Sequence, residues 1–195
     1  MEQNKNSAEA QAIRPCAECE NATILTVINE AAIAYKGVIP ADRWHEPYMP
    51  LDELKAEIAA GVRFTGYSLD GLLIGVMGIQ NVRNVRLIRH AYVLPNYQGR
   101  GIGSALISNL RSSSTSPMLI GTWTAATWAI GFYESHGFSL VPEEVIAPLL
   151  KAYWNVPERQ IATSVVLATP ALTIDGAASL IANASPPDRR MTGMS

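Results

Sequence analysis

Residues 96–105 read "NYQGRGIGSA", with glycine at positions 99, 101 and 103. The stretch follows "YVLP" (Tyr92–Pro95), the end of an extended apolar run, and opens into Ile102, Ala105, Leu106 and Leu110 at helical spacing. A strand-to-helix turn of this kind presents unpaired amides at the positive end of a helix, which is an anion site. Glycine weakens a helix start, so three of them there mean that the backbone itself approaches something closely.

Two familiar phosphate loops fail on the residues. A P-loop needs G-x-x-x-x-G-K-[ST], and no lysine follows these glycines. A dinucleotide fingerprint would run Gly99, Gly101, Ser104, with serine for the third glycine, and needs an acidic residue about twenty positions on. From Gly71 through Tyr133 there is no Asp or Glu, and the 17 carboxylates all lie in the flanks. The same block carries Arg83, Arg86, Arg89, Arg100, Arg111 and His90. A cationic centre in a chain of net charge −2 points either to a local anionic ligand or to chance in an apolar part of the fold.

Outward from the loop, the elements alternate. "AIR" before Pro15 is a short first strand, and Ile24, Val27, Ile28, Ala31, Ala32 and Tyr35 share one helical face ending at Gly37. "VIPADRWHEPYMP" (Val38–Pro50) has three prolines and is a loop, followed by the helix "LDELKAEIAAG" (Leu51–Gly61). "VRFTGYSL" and "LLIGVMGIQ" are strands joined at Asp70-Gly71, a hairpin signal, and "VRLIRHAYVLP" is a third strand. After the loop helix come the strand "PMLIGTWT", the helix "AATWAIGFYESHG", the strand "FSLVP", the helix "EEVIAPLLKAYW" and a last strand "RQIATSVVLAT". The fold class is α+β, with a mixed, mostly antiparallel central sheet flanked by helices. Residues 1–10 read as a flexible segment, 11–169 as the folded domain, and 170–195 as a tail with a short helix at Ala177–Ala182.

Two motifs in order carry a family resemblance. "QGRGIG" (Gln98–Gly103) fits Q/R-x-x-G-x-G/A, and "AIGFYESHGF" (Ala129–Phe138) is similar to an "FYEK-GF" pattern; a strand separates them. Together they resemble the GNAT superfamily of N-acetyltransferases, over roughly Ala12 to Thr169. The resemblance implies a GNAT-like acyl-CoA N-acyltransferase fold with acetyl-CoA as the acyl donor. Its pyrophosphate would be wrapped by Gln98, Gly99, Arg100, Gly101, Ile102, Gly103 and Ser104. Ala91, Tyr92 and Val93 would bond the pantetheine arm. Tyr133 matches the tyrosine that protonates the departing thiolate, or it only packs there; a phenol, with a pKa near 10, donates without being ionised at neutral pH.

The same resemblance puts the acceptor pocket at Trp44, His45, Glu46 and Tyr48. Two departures stand out. Ala126, Thr127 and Trp128 occupy the region where relatives carry an asparagine, and nothing acidic falls among Val85–Arg89, where relatives often place a glutamate base. His90 is the nearest candidate base, or a structural histidine. With Arg89 beside it, the reading favours proton loss through water, with His45 and Glu46 assisting.

The implied reaction is direct attack of a primary amine, small or on a peptide, on the thioester; a non-catalytic acyl-CoA-binding module is the alternative. Weak overall charge argues against nucleic acid, and "GLLIGVMGI" (Gly71–Ile79) is too short to cross a bilayer. The N-terminus has no apolar leader, so the expected compartment is the cytoplasm, with a monomer or homodimer and no membrane partner. Cys16 and Cys19 form a lone C-x-x-C, read as reduced thiols, and "HEPYM" lacks the second histidine of a zinc motif, so no metal is expected.

Overall fold

The computed structural model describes residues 10–113, 115–154 and 156–184. The expected N-terminal flexible segment lies outside them except for its last residue, and so do the last eleven residues of the expected tail. Seven strands form one mixed sheet in the order β1-β2-β3-β4-β5-β7-β6. In chain order the elements are β1 (Gln11–Pro15), α1 (Asn21–Ala32), α2 (Leu51–Ala59), β2 (Arg63–Leu69), β3 (Leu72–Val82), β4 (Val85–Val93) and α3 (Ile102–Ser112). Then follow β5 (Met118–Trp123), α4 (Thr127–Ser135), β6 (Ser139–Leu140), α5 (Glu143–Tyr153), α6 (Glu158–Ile161), β7 (Ser164–Thr169) and α7 (Ile174–Ala182). The α+β class with a mixed, mostly antiparallel sheet is what the sequence pattern calls for.

The chain divides into two compact units within β3 and β4. The first contains β1, α1, α2, β2, β3 as far as Ile79, β4 from Arg89, and α3. β1 and β2 are antiparallel, as are β2 and β3, whose turn places Asp70 and Gly71 at φ 48° and 83°. Positive φ at both central residues matches the right-handed strand twist, and aspartate and glycine tolerate it best. α1 buries Ile24, Val27, Ile28, Ala31 and Ala32, the helical face read from their spacing. Ile24, Val27 and Ile28 pack with Met49, Leu54, Val62, Phe64, Leu73 and Val76 in one cluster, to which α2 contributes Leu54. Tyr35, expected on the same helix, lies in a 3₁₀ turn (Ile33–Tyr35) beyond its end.

The second unit contains the β3–β4 turn from Gln80 to Ile88 and everything from β5 onward. β4 and β5 are parallel over three pairs, Arg86↔Met118 to Ile88↔Ile120. β5 is antiparallel to β7 from Met118↔Thr169 to Trp123↔Ser164, and β6 adds two pairs on the far side of β7. The last strand starts later than its sequence pattern implies. Gln160 and Ile161 belong to α6, which begins right after Pro157, a residue suited to a helix N-terminus.

Beyond Thr169 the segment read as a tail holds a nine-residue helix, longer than the six residues expected. The Thr173 hydroxyl caps it by accepting from the Gly176 N–H at 3.0 Å, and Ala177 is fully buried in a second hydrophobic cluster, that of the second unit, with Val145, Leu149 and Leu150 of α5. The single hydroxyl proton of Tyr153 on α5 is shared between Asn84 Oδ1 at 2.9 Å and the Leu180 carbonyl at 3.0 Å, while Asn84 Nδ2 donates to the same carbonyl at 2.9 Å. That network ties α7 to both α5 and the β3–β4 turn. Among the described residues no helix is long and apolar enough to cross a membrane.

Candidate active site

The glycine loop of the first unit joins β4 to α3. A 3₁₀ turn at Pro95–Tyr97 closes the strand, and Gly99 and Gly101 follow at φ 74° and 78°. Gly101 caps α3 in the left-handed region, a conformation that costs an L side chain roughly 1–2 kcal/mol. A Cβ at either residue would meet no atom within 4 Å, so the protein leaves open space beside both. The first helical bond is Ala105 N–H to the Gly101 carbonyl at 2.9 Å, and no described residue accepts from the amides of Gly99 to Gly103. These open donors at a helix N-terminus have the chemistry that a pyrophosphate requires.

Other groups of the loop are already engaged. The Gln98 side-chain amide donates to the Val93 carbonyl at 3.0 Å, and the Arg100 guanidinium lies 5.1 Å above the Tyr97 ring. Of the five arginines in the cationic block, Arg100 alone belongs to the loop. Arg83 and Arg86 lie around the β3–β4 turn in the second unit, Arg111 is in the last turn of α3, and Arg89 is ion-paired.

Before the loop, β4 changes conformation. His90 has φ 52°, and the carbonyl of Arg89 comes so close to Gly78 that a Cβ there would sit 2.8 Å from it. A left-handed residue inside a strand breaks the extended backbone directly before Ala91, Tyr92 and Val93. Here the structure alters a premise drawn from sequence. His90 does not stand beside an unpaired Arg89, because Glu57 of α2 binds Arg89 Nη2 at 2.6 Å and approaches His90 Nε2 at 3.5 Å. Burial pushes the Glu57 carboxyl up, but the close approach of His90 Nε2 and the charge and hydrogen bond of Arg89 outweigh it and hold the group below the ordinary carboxylate range. Glu57 supplies from α2 the acidic partner that Val85–Arg89 lack. Its only sequence signal is an acid on a helix, which many exposed glutamates share.

The proline-rich loop gathers an aromatic group in the same unit. The Tyr48 ring lies 5.5 Å from Trp44, 6.2 Å from His45 and 6.2 Å from Tyr35, while Tyr35 meets Tyr92 edge-on at 6.5 Å. Tyr35 was legible only as a helix-face residue, yet it links the loop to β4. Glu46 accepts from Lys36 Nζ at 2.6 Å and from Trp44 Nε1 at 3.2 Å, and these bonds hold its carboxyl below the ordinary range. His45 Nδ1 bonds the Pro47 carbonyl at 2.7 Å. Asn29 clamps the end of the loop to α1, accepting from Met49 N–H at 2.7 Å and donating to its carbonyl at 3.0 Å.

In the second unit, Tyr133 lies on α4, edge-on to Phe132 at 5.1 Å and to Phe138 at 5.8 Å. The Phe138 amide bonds the Tyr133 carbonyl at 3.1 Å, the Gly137 amide bonds that of Glu134 at 3.0 Å, and Gly137 has φ 77°. This is a Schellman cap with its hydrophobic contact, and it gives "ESHGF" a local structural reason. Cys16 and Cys19 are free thiols; burial and the Glu20 carboxylate push Cys16 up to about 11, against the pull of Arg14. No cluster of three or more potential metal ligands occurs among the described residues.

Residues 61–140 match the family model of the acetyltransferase (GNAT) domain. No protein of curated function matches the sequence. Among solved structures, the PaiA N-acetyltransferase of Thermoplasma acidophilum, in complex with coenzyme A, is similar with TM-score 0.61 and 17% identity, covering 82% of this chain and 98% of that one. The ribosomal-protein-S18-alanine N-acetyltransferase of Escherichia coli has TM-score 0.54 and 15% identity over 82% of this chain and 92% of its own. YncA of Salmonella typhimurium, a putative acetyltransferase with acetyl-CoA, has TM-score 0.51 and 23% identity over 67% and 80%. At these identities the likeness is one of fold.

Proposed function

We propose that this chain, which carries a GNAT acetyltransferase domain over residues 61–140, transfers the acetyl group of acetyl-CoA to a primary amine by direct attack on the thioester. The observation that carries the reading is the run of open amides from Gly99 to Gly103 at the start of α3. On it, these amides with Ser104 and Arg100 bind the pyrophosphate, and Gln98 braces the loop against Val93. The backbone of Ala91, Tyr92 and Val93 bonds the pantetheine arm, and the Val93 region polarises the carbonyl. Tyr133 protonates the leaving sulfur, with its ring held by the Schellman cap of α4. Trp44, His45, Glu46 and Tyr48 hold an acceptor amine, small or on a peptide; the aromatic faces suit its cation. The compartment on this reading is the cytoplasm.

Coenzyme A titrated by calorimetry, followed by thiol release across a panel of amines, tests this. Binding and release together support acetyl transfer. Binding without release from any amine supports the non-catalytic alternative, which the lack of an asparagine among Ala126, Thr127 and Trp128 favours.

A further inference from the structure

Among the buried side-chain atoms that lack a hydrogen bond are Glu57 Oε2 and His90 Nε2, and they lie 3.5 Å from each other. Leaving either atom buried and unpaired costs about 1–3 kcal/mol, so a side-chain shift of a few tenths of an ångström that joins them is favoured. We propose that Glu57 positions His90, through a bond from Nε2–H to Oε2, as the base that takes the acceptor amine's proton. The inference rests on the acetyl-transfer reading above.

Three features of the cluster define the geometry. The other Glu57 oxygen is anchored by Arg89 Nη2 at 2.6 Å, which keeps the carboxylate ionised and therefore purely an acceptor. The His90 ring stacks on Phe64 with centroids 6.0 Å apart and planes 29° apart, so its tilt is set by β2 while its Nε2 edge faces α2. His90 Nδ1 is not among the buried unpaired atoms and bonds no described residue, so it reaches solvent. With Nε2 carrying the proton, Nδ1 has the lone pair. A ring nitrogen's role follows from the bond that the other one makes. The strained backbone at His90, φ 52°, sits directly before Ala91–Val93, and a non-glycine residue there costs about 1 kcal/mol or more.

In the proposed step the ammonium of the acceptor gives one proton to Nδ1, directly or through one water. The freed lone pair forms the C–N bond while the C–S bond breaks and its electrons leave on sulfur. The second proton lost from nitrogen balances the one taken up by sulfur, and the imidazolium returns its proton to water. Glu57 touches no reacting atom; it is a positioning residue.

Nitrogen NMR of the free protein, with the His90 ring neutral, reads the tautomer without any substrate. The expected result is Nε2–H in the wild type and loss of that preference in Glu57→Gln. In turnover, Glu57→Gln lowers kcat by about 10- to 100-fold with KM for acetyl-CoA unchanged, and Glu57→Asp recovers part of it. His90→Ala falls by about 100-fold or more, and the double variant Glu57→Gln with His90→Ala is no slower than His90→Ala alone. An Nδ1–H tautomer in the wild type, a Glu57→Gln kcat equal to wild type, or additive losses in the double variant overturns the proposal. Absence of thiol release by the wild type with every amine defeats the acetyl-transfer reading itself, and the tautomer still decides the pair.

Discussion

The side-chain amide of Gln98 donates to the carbonyl of Val93 across 3.0 Å, so the loop with the open amides is tied back to the strand that precedes it. The bond is exposed and neutral, and a bond of this class contributes about 1 kcal/mol. Gln98→Ala therefore weakens coenzyme A binding up to about 5-fold, by calorimetry, and lowers the melting temperature by no more than about 2–4 °C. Unaltered affinity would remove Gln98 from the loop's support.

Gly101 and Gly78 separate two uses of glycine. At Gly101 a Cβ has no neighbour within 4 Å, so Gly101→Val meets only the left-handed backbone penalty and the protein remains folded. Coenzyme A binding is nonetheless lost, because the side chain occupies the space over the amides. At Gly78 a Cβ would stand 2.8 Å from the Arg89 carbonyl and 3.0 Å from Val62, so Gly78→Ala lowers stability by about 1–3 kcal/mol in urea denaturation. A Gly101→Val protein that binds coenzyme A normally contradicts the assignment.

Tyr133→Phe keeps both ring contacts and removes only the hydroxyl. If the phenol gives its proton to sulfur, kcat drops about 10- to 1,000-fold while affinity for coenzyme A holds. Full activity of the variant would leave Tyr133 a packing residue.

Near the N-terminus, Glu20 accepts from Arg14 Nη1 and Nη2 at 2.7 Å each and from the Ala17 amide at 2.7 Å. The Arg14 hydrogen bond first, then the Ala17 amide, lower its carboxyl to about 2. A carboxyl lowered on folding adds stability above its unfolded value, and that stability is lost as pH falls through the folded one. The Arg14 side chain is 42% exposed, so solvent screens the pair and the gain at neutral pH is about 1 kcal/mol rather than the full shift. Chemical denaturation of wild type and Glu20→Gln should show this difference above about pH 5 and lose it progressively between pH 4 and 2. A difference independent of pH would rule out the carboxylate as its source.

What could be read along the chain was whatever the local backbone demands of its own residues. Left-handed φ at Gly99, Gly101 and Gly137 needs glycine, the Asp70-Gly71 turn needs its pair, and the α1 face repeats at the helical period. These demands are satisfied within a few residues, so loop, hairpin and helix ends were legible in the sequence itself. The tertiary structure decided the rest. Glu57 and Arg89 are 32 positions apart, and their contact depends on the rotation of α2 and on the left-handed backbone at His90, neither of which a neighbouring residue specifies. Likewise Tyr35, Tyr48 and Tyr92 become one aromatic group, and α7 joins the α5 cluster, only through packing. Backbone conformation is written in the residue that adopts it, whereas a contact between distant side chains is set by how whole elements pack, and a single sequence does not record that.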